Sequence, residues 1–421
     1  MMQVEPSTVQ VSQSGLQKLR EARDSQCRDK GGDYLERLTN ERLAGKAHVS
    51  ESTVKRFCKG ERVRREIAKA ITEVLGLQLS DVIADDLDSA FYVERPPIES
   101  DCCNAILQPG ALIRIKAPEL TGKTLLLNRI LEHADKQNYE TVTVDFALCD
   151  REVFRNIRTF SQRFCALVSK ELDLPNKLAD FWDDIYGCND NITAYFEEYL
   201  LAERTTPVVL ALDKLDRVFE EPAIAEDFCC LLRGWNDLAK RSRSRGVNWK
   251  QLRLILVHST EVYSSLDINR SPLANVGFIF PLPEFTTTQV QNLAKLYQLD
   301  WVGTQEVEQL MAMVGGHPYL VSQAFDYLKR QKVNLLEFLQ IAPTEAGPFS
   351  SHLRDQLLHL KQNSELVTAL SAVVNTSKPV RLESTQAFKL QSMGLVQLQG
   401  NDCTSKCNLY TQYFLERLPK S

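Results

Sequence analysis

The chain has 421 residues, 43% of them hydrophobic and 25% charged, which is ordinary globular material long enough for about two to four domains. The longest apolar runs, at 208–212 and 254–257, fall far short of the roughly 18 residues of a membrane span, and the polar N-terminus has no signal-peptide pattern, so a cytoplasmic protein with no membrane partner is expected. The net charge of -5 hides an asymmetry: residues 15–80 carry 15 Lys and Arg against 10 Asp and Glu, so any nucleic-acid contact is expected from this basic head.

Along the chain, residues 1–14 are polar and expected to form a disordered tail. Residues 15–84 then show apolar residues at helical spacing in "GLQKLREAR", "NERLAGKAH", "SESTVKRFCKG" and "EIAKAITEVLGL". A break runs from Gly45 to Ser50, with Ser50 or Ser52 as the next helix cap. This pattern resembles the helix-turn-helix of lambda-repressor-like proteins and implies an all-α N-terminal domain. A lead-in linker is expected over 85–110, around Arg95-Pro96-Pro97. Strand-like runs at 111–117, 141–146, 208–213, 252–259 and 277–282 alternate with helix-like ones, which implies a parallel α/β sheet binding ligands at its carboxyl ends. Residues 285–345 read as helical, and 346–421 as helices around a two-strand ribbon turning at Gly400-Asn401-Asp402, the order of a winged helix. The 11 cysteines contain no CxxC pair, so neither zinc nor a disulfide framework is indicated.

The chemistry gathers at the strand ends. "APELTGKTLLL" follows the first core strand and opens a helix, as a P-loop requires: the backbone of Ala117, Pro118, Glu119, Leu120, Thr121 and Gly122 wraps phosphates, Lys123 reaches the β- and γ-phosphates, and Thr124, followed by Leu125, ligates Mg²⁺. Ala117 stands where the GxxxxGK[ST] pattern has its first glycine. Asp213, ending "VVLALD", is the expected carboxylate on the Mg²⁺ side opposite Thr124. Ser259 and Thr260 either sense the γ-phosphate or cap the following helix.

"FYVERPPIE", "ILQPGALIRIKAP", "YFEEYLL", "LDKLDRVF", "LRLILVHSTEVY", "LPEFT", "MAMVGGHPYLV" and "KLQSMGLVQLQG" together resemble the bacterial AAA-like ATPase-domain family, near the STAND signalling NTPases and the Orc/Cdc6-like ATPases. The resemblance covers residues 91–418. It implies an ASCE-type P-loop NTPase core over 85–284, a helical lid, a C-terminal winged helix, and ATP or ADP as cofactor. It also puts Tyr92, Val93 and Arg95 near the adenine. His317 and Pro318, in Gly-Gly-His-Pro, match a lid turn that packs on nucleotide; read from the residues alone they are a helix break.

The family usually carries Asp-Glu where this chain has Asp213-Lys214. Lysine accepts no proton at neutral pH unless its pKa falls by several units. NACHT-type relatives set an acidic residue three positions after the Mg²⁺ aspartate, which is Asp216 here. Asp216 and Lys214 are therefore candidate catalytic groups, one positioning water and the other neutralising phosphate charge; alternatively Lys214 faces solvent and Asp216 caps the next segment.

In the head, Ser52, Thr53, Lys55 and Arg56 are expected to face the bases of double-stranded DNA, with Lys59 and Arg62 on phosphates. A solvated basic face on a protein-interaction module is the alternative. Three functions follow: a switch whose nucleotide state controls homo-oligomerisation and DNA or partner binding, with an unidentified signalling protein upstream; a DNA-associated ATPase of Orc/Cdc6 type; or a scaffold with a degenerate nucleotide site.

Overall fold

The computed structural model describes residues 8–9, 11, 18–19, 22–23, 39–59, 63–77, 79, 82, 92–202, 204–241, 248–261, 273, 276–299, 301 and 305–419. The chain divides into two units, residues 1–92 with 131–139, and residues 93–130 with 140–421.

In the first unit, α1 (Asn40–Ala47) begins where the Thr39 side chain accepts the Arg42 N–H at 3.3 Å and ends where His48 turns left-handed, with φ at 55°. α2 (Glu51–Cys58) begins on Ser50, whose hydroxyl accepts the Thr53 N–H at 3.2 Å. The break is thus narrower than expected and spans His48 to Ser50. A single exposed glycine costs a helix only about 1 kcal/mol, and the buried face of Leu43, Ala44 and Ala47 carries α1 past Gly45. α3 (Arg65–Val74) adds Ala68 and Ile71 to a core with Leu43, Val54 and Phe57. Thr8 and Val9 pair antiparallel with Arg64 and Val63, and Val11 is buried. Part of the tail expected to be disordered is therefore tied down by ladder hydrogen bonds and one apolar anchor.

In the second unit, β1 (Leu112–Ala117), β2 (Glu140–Asp145), β3 (Val208–Asp213), β4 (Leu252–Ser259) and β5 (Phe278–Pro281) form one parallel sheet in the order β2-β3-β4-β1-β5. β3 and β4 are buried along their whole length, as central strands covered on both faces must be. The chain leaves β1 for β2 at the far edge, passing β4 and β3, so the loop after β1 opens where the strand order reverses. The register sets Ala117 opposite Ser259 and Asp145 opposite Asp213, which brings the polar strand ends to one edge.

Helices α5 (Lys123–Lys136), α6 (Ile157–Glu171), α7 (Cys188–Tyr195) and α8 (Pro222–Lys240) alternate with the strands. Phe160 and Phe164 of α6 meet Phe228 of α8 edge-on, with centroids 5.0 and 5.2 Å apart, and fix these helices against Leu210 and Leu212 of β3. The stretch expected as a lead-in linker holds another helix, α4 (Ile98–Ile106), which packs on β1 and β5 through buried Ile98, Cys102, Ala105 and Ile106. Its four apolar positions keep helical spacing, and the prolines and acids around them hide it in the sequence.

Beyond the sheet come α9 (Thr287–Leu296), α10 (Gln305–Val314), α11 (Pro318–Gln331), α12 (Leu335–Ile341), α13 (Ser350–Lys361), α14 (Ser364–Val374) and α15 (Ser384–Ser392). The antiparallel ribbon β6 (Val396–Gln399) and β7 (Asp402–Ser405) turns at Gly400, and α16 (Asn408–Arg417) follows. No helix among the described residues is long and apolar enough to cross a membrane, and no disulfide links the described cysteines.

Candidate functional site

The loop after β1 is wound tightly by its own residues. Leu120 and Gly122 take positive φ, 58° and 91°, and the Thr121 hydroxyl donates to the Pro118 carbonyl at 2.7 Å. Arg95, 3% exposed, braces the loop from behind: its Nη1 donates to the carbonyls of Thr121 at 2.8 Å and Pro283 at 3.3 Å, and its guanidinium stacks over Phe285 at 5.4 Å. A Cβ at position 122 would stand 3.1 Å from Arg95 Nη2, so the glycine is needed for this approach as well as for its φ. The resemblance put Arg95 near the adenine; in the fold it pins the phosphate loop. Val93 and Tyr92 are both half-buried.

At the start of α5, Lys123 is 7% exposed and its Nζ donates to the carbonyls of Ala117 at 2.9 Å and Pro118 at 2.6 Å. Burial lowers its pKa, opposed by the charges of Glu261 and Asp216. The exposed Thr124 hydroxyl donates to Asp213 Oδ2 at 3.0 Å, while Asp213 Oδ1 accepts the Lys214 N–H at 2.9 Å. Burial raises the Asp213 carboxyl above its usual range, and the two hydrogen bonds act against it. Leu125 follows, half-buried on the same helix.

Lys214 takes a left-handed φ of 55° and leaves its side chain exposed. It lines a cavity of about 150 Å³ together with Leu120, Lys123, Asp213, Asp216 and Ser259. Asp216 opens a short helical turn, and its Oδ1 accepts the Ser259 N–H at 2.6 Å, so this carboxylate ties the end of β4 to the segment after β3. The Ser259 hydroxyl donates to Glu261, whose other oxygen accepts the Glu119 N–H at 2.7 Å. Glu261 belongs to the polar strand end visible in the sequence, but nothing in its spacing announces that it reaches back into the loop after β1.

Three close approaches join the ends of β1, β4 and β5 to the C-terminal segment. The Thr260 hydroxyl donates to the Ser392 carbonyl at 2.7 Å, a Cβ at Gly394 would lie 3.5 Å from Pro118, and Lys406 pairs with Glu284 at 2.9 Å. His317, buried at the start of α11 before Pro318, lies 6.0 Å from the His352 ring, and His352 shares a 2.9 Å hydrogen bond with the Tyr410 hydroxyl. Burial, with the charges of His352 and Lys123, holds the His317 pKa down to about 3. Its Nδ1 has no hydrogen-bond partner among the described residues.

The donor set fits a nucleotide with Mg²⁺: a buried lysine and backbone N–H groups for phosphate, and a hydroxyl beside a carboxylate for the metal. Among the described residues no group of three or more His, Cys, Asp or Glu is arranged to hold a metal alone. Mg²⁺ takes one or two protein oxygens and completes its shell with phosphates and water.

In the head, Ser52, Lys55 and Lys59 are exposed and Arg56 is half-buried, with Lys55 paired to Glu51 at 2.8 Å. Thr53 is 7% exposed and its hydroxyl sits 2.7 Å from that of Ser50, so it belongs to the helix cap and not to the exposed face expected to meet bases. Helical phase turns it inward beside Val54 and Phe57. Arg62 lies outside the described residues.

Residues 35–88 match a Cro/C1-type HTH DNA-binding domain, and residues 82–416 match an AAA-like domain. Among solved structures, the fold is similar to a Walker-type ATPase of Pyrococcus abyssi at 13% identity and a TM-score of 0.50, covering 77% of this chain and 96% of that one. An Aeropyrum pernix ORC2 protein, solved as ADPNP-ADP complexes, matches at 14% identity and a TM-score of 0.46 over 79% of this chain and 92% of its own. AMPPCP-bound DnaA from Aquifex aeolicus matches at 12% identity and a TM-score of 0.35, over 71% and 76%. No curated protein matches. Since the AAA-like match spans most of the sequence, the chain belongs to the AAA-like domain family and carries a Cro/C1-type helix-turn-helix at its N-terminus.

Proposed function

We propose that this protein is an ATP- or ADP-binding switch whose nucleotide state changes the packing of residues 346–421, and with it oligomerisation and the engagement of DNA or a signalling partner by the head. The observation that carries this reading is the continuity from phosphate loop to C-terminal segment: Lys123 and Thr260 both donate to the Ala117 carbonyl, and the Thr260 hydroxyl holds the Ser392 carbonyl. A phosphate drawing Lys123 off Ala117 changes the same strand end that grips Ser392. In this reading residues 346–421 act as a winged helix in the manner of STAND proteins, Thr124 and Asp213 hold Mg²⁺, and His317 faces the nucleotide from α11.

Hydrolysis is slow or absent. Asp216, the candidate water-positioning group, already accepts the Ser259 N–H, and Lys214 stands where a glutamate is usual. An Orc/Cdc6-like ATPase working on DNA would need faster turnover than this arrangement favours.

Binding of a fluorescent ATP analogue to the full chain tests the core of the reading. Wild type is expected to bind, and Lys123→Ala to lose about tenfold or more in affinity. Equal binding by both would sink it. The head is tested separately by titrating duplex DNA at rising salt: Lys55→Ala with Arg56→Ala should weaken binding and flatten the dependence of log K on log salt. DNA binding insensitive to salt, or none at all, favours a scaffold whose helix-turn-helix contacts protein.

A further inference from the structure

The Glu119 N–H belongs to the loop that would wrap a phosphate, yet it points at a carboxylate of the same chain. Glu261 Oε1 accepts that N–H at 2.7 Å, and its Oε2 accepts the Ser259 hydroxyl. Lys123 is close enough to act on Glu261 electrostatically, and Glu261 is likewise the strongest charge acting on Lys123. A carboxylate and a phosphate are both oxyanions, and a backbone N–H, a hydroxyl and an ammonium are the donors either one uses. Glu261 reaches them because β4 lies beside β1 with Ser259 opposite Ala117, so the residues just past β4 face the loop just past β1.

We propose that Glu261 occupies part of the phosphate-binding loop as an internal oxyanion, and that nucleotide phosphate binds by displacing it. The proposal rests on the nucleotide-binding reading and deepens it: the loop competent for phosphate is the fraction in which Glu261 has left, and measured affinity is reduced by that fraction. It also separates Glu261 from Asp216, whose carboxylate ties two strand ends together and does not enter the loop.

The test compares full-length wild type, Glu261→Gln, Glu261→Ala and Lys123→Ala for fluorescent ADP and, calorimetrically, for inorganic pyrophosphate, with thermal melting to confirm folding. Glu261→Gln keeps the side-chain volume and removes the charge, so it stays informative if the alanine variant folds poorly. Both Glu261 variants are expected to bind ADP and pyrophosphate about tenfold more tightly than wild type. Unchanged or weaker binding of both ligands by the folded variants overturns the proposal, even where wild type binds ADP and Lys123→Ala does not. If wild type and Lys123→Ala are alike toward ADP while pyrophosphate binding rises in both Glu261 variants, the nucleotide reading falls and the oxyanion assignment stands.

Discussion

Lys214 follows the buried Asp213 at the end of β3 and exposes its side chain. In the sequence it reads as a missing base. In the fold it is first a backbone problem, a lysine held at φ 55° directly after the buried Asp213, with its own N–H closing on that carboxylate at 2.9 Å. A left-handed conformation costs a residue with a Cβ roughly 1–2 kcal/mol that glycine does not incur. Lys214→Gly is therefore expected to raise unfolding stability, by about 1 kcal/mol in urea denaturation after the glycine's greater freedom in the unfolded chain is deducted. A loss of stability would mean that the lysine side chain has contacts outweighing its strain. Arg95 lies buried behind the same loop. The resemblance puts it near the adenine, and its burial and its two carbonyl partners make it a brace under the loop as well.

At the scale of elements, the strands were legible and the close approaches were not. All five strands fall within one residue of the sequence reading, because runs of Val, Ile and Leu between turn signals have few other folds. Gly277 shows what the pattern leaves out. It takes φ +74°, and a Cβ there would stand 2.3 Å from the Leu112 carbonyl oxygen, a backbone atom that cannot yield without moving β1. Gly45, inside α1, has ordinary helical backbone, and a Cβ added there would meet nothing within 4 Å. Opposite signs follow: Gly277→Ala should destabilise the sheet unit by about 2 kcal/mol or more, whereas Gly45→Ala should stabilise the head by about 0.5–1 kcal/mol. Thermal melting of the two variants checks both, and a matching sign would refute the comparison. Helix α4 was hidden for another reason: nine residues set between a proline pair and a glycine-bearing turn give too short a window for periodicity to stand out.

At the scale of the molecule, three histidines are buried together with their neutrality. Burial holds His258 and His317 down to about 3 and His352 to about 4, against an ordinary value near 6.5 in the unfolded chain. A depressed folded pKa means that the unfolded chain takes up protons first. The stability these groups contribute is complete above about pH 6.5 and is lost as pH falls from there toward 3–4. Asp213 and Glu261, raised by burial, carry the opposite sign: their contribution is present at low pH and lost as pH rises through their folded values. With three histidines acting over the window below neutrality, the melting temperature should drop by roughly 5 °C or more between pH 7 and pH 5, and His317→Asn should flatten that slope. A melting temperature independent of pH over this range would show that these rings are hydrated.

Local chemistry alone encodes a helical basic head, an alternating α/β core, a GKT loop on a helix start, and an aspartate at a strand end. Apolar periodicity, capping residues and turn glycines act over a few neighbours, so they survive in one dimension. Residues far apart in the chain meet through the three-dimensional fold: Thr8 and Val9 on Arg64 and Val63, Arg95 under Thr121, Glu261 on the Glu119 N–H, and Ser392 on Thr260. Those pairings depend on strand order and register, which no single segment specifies; the register of β4 beside β1 is what sets the Glu261 carboxylate on the Glu119 N–H.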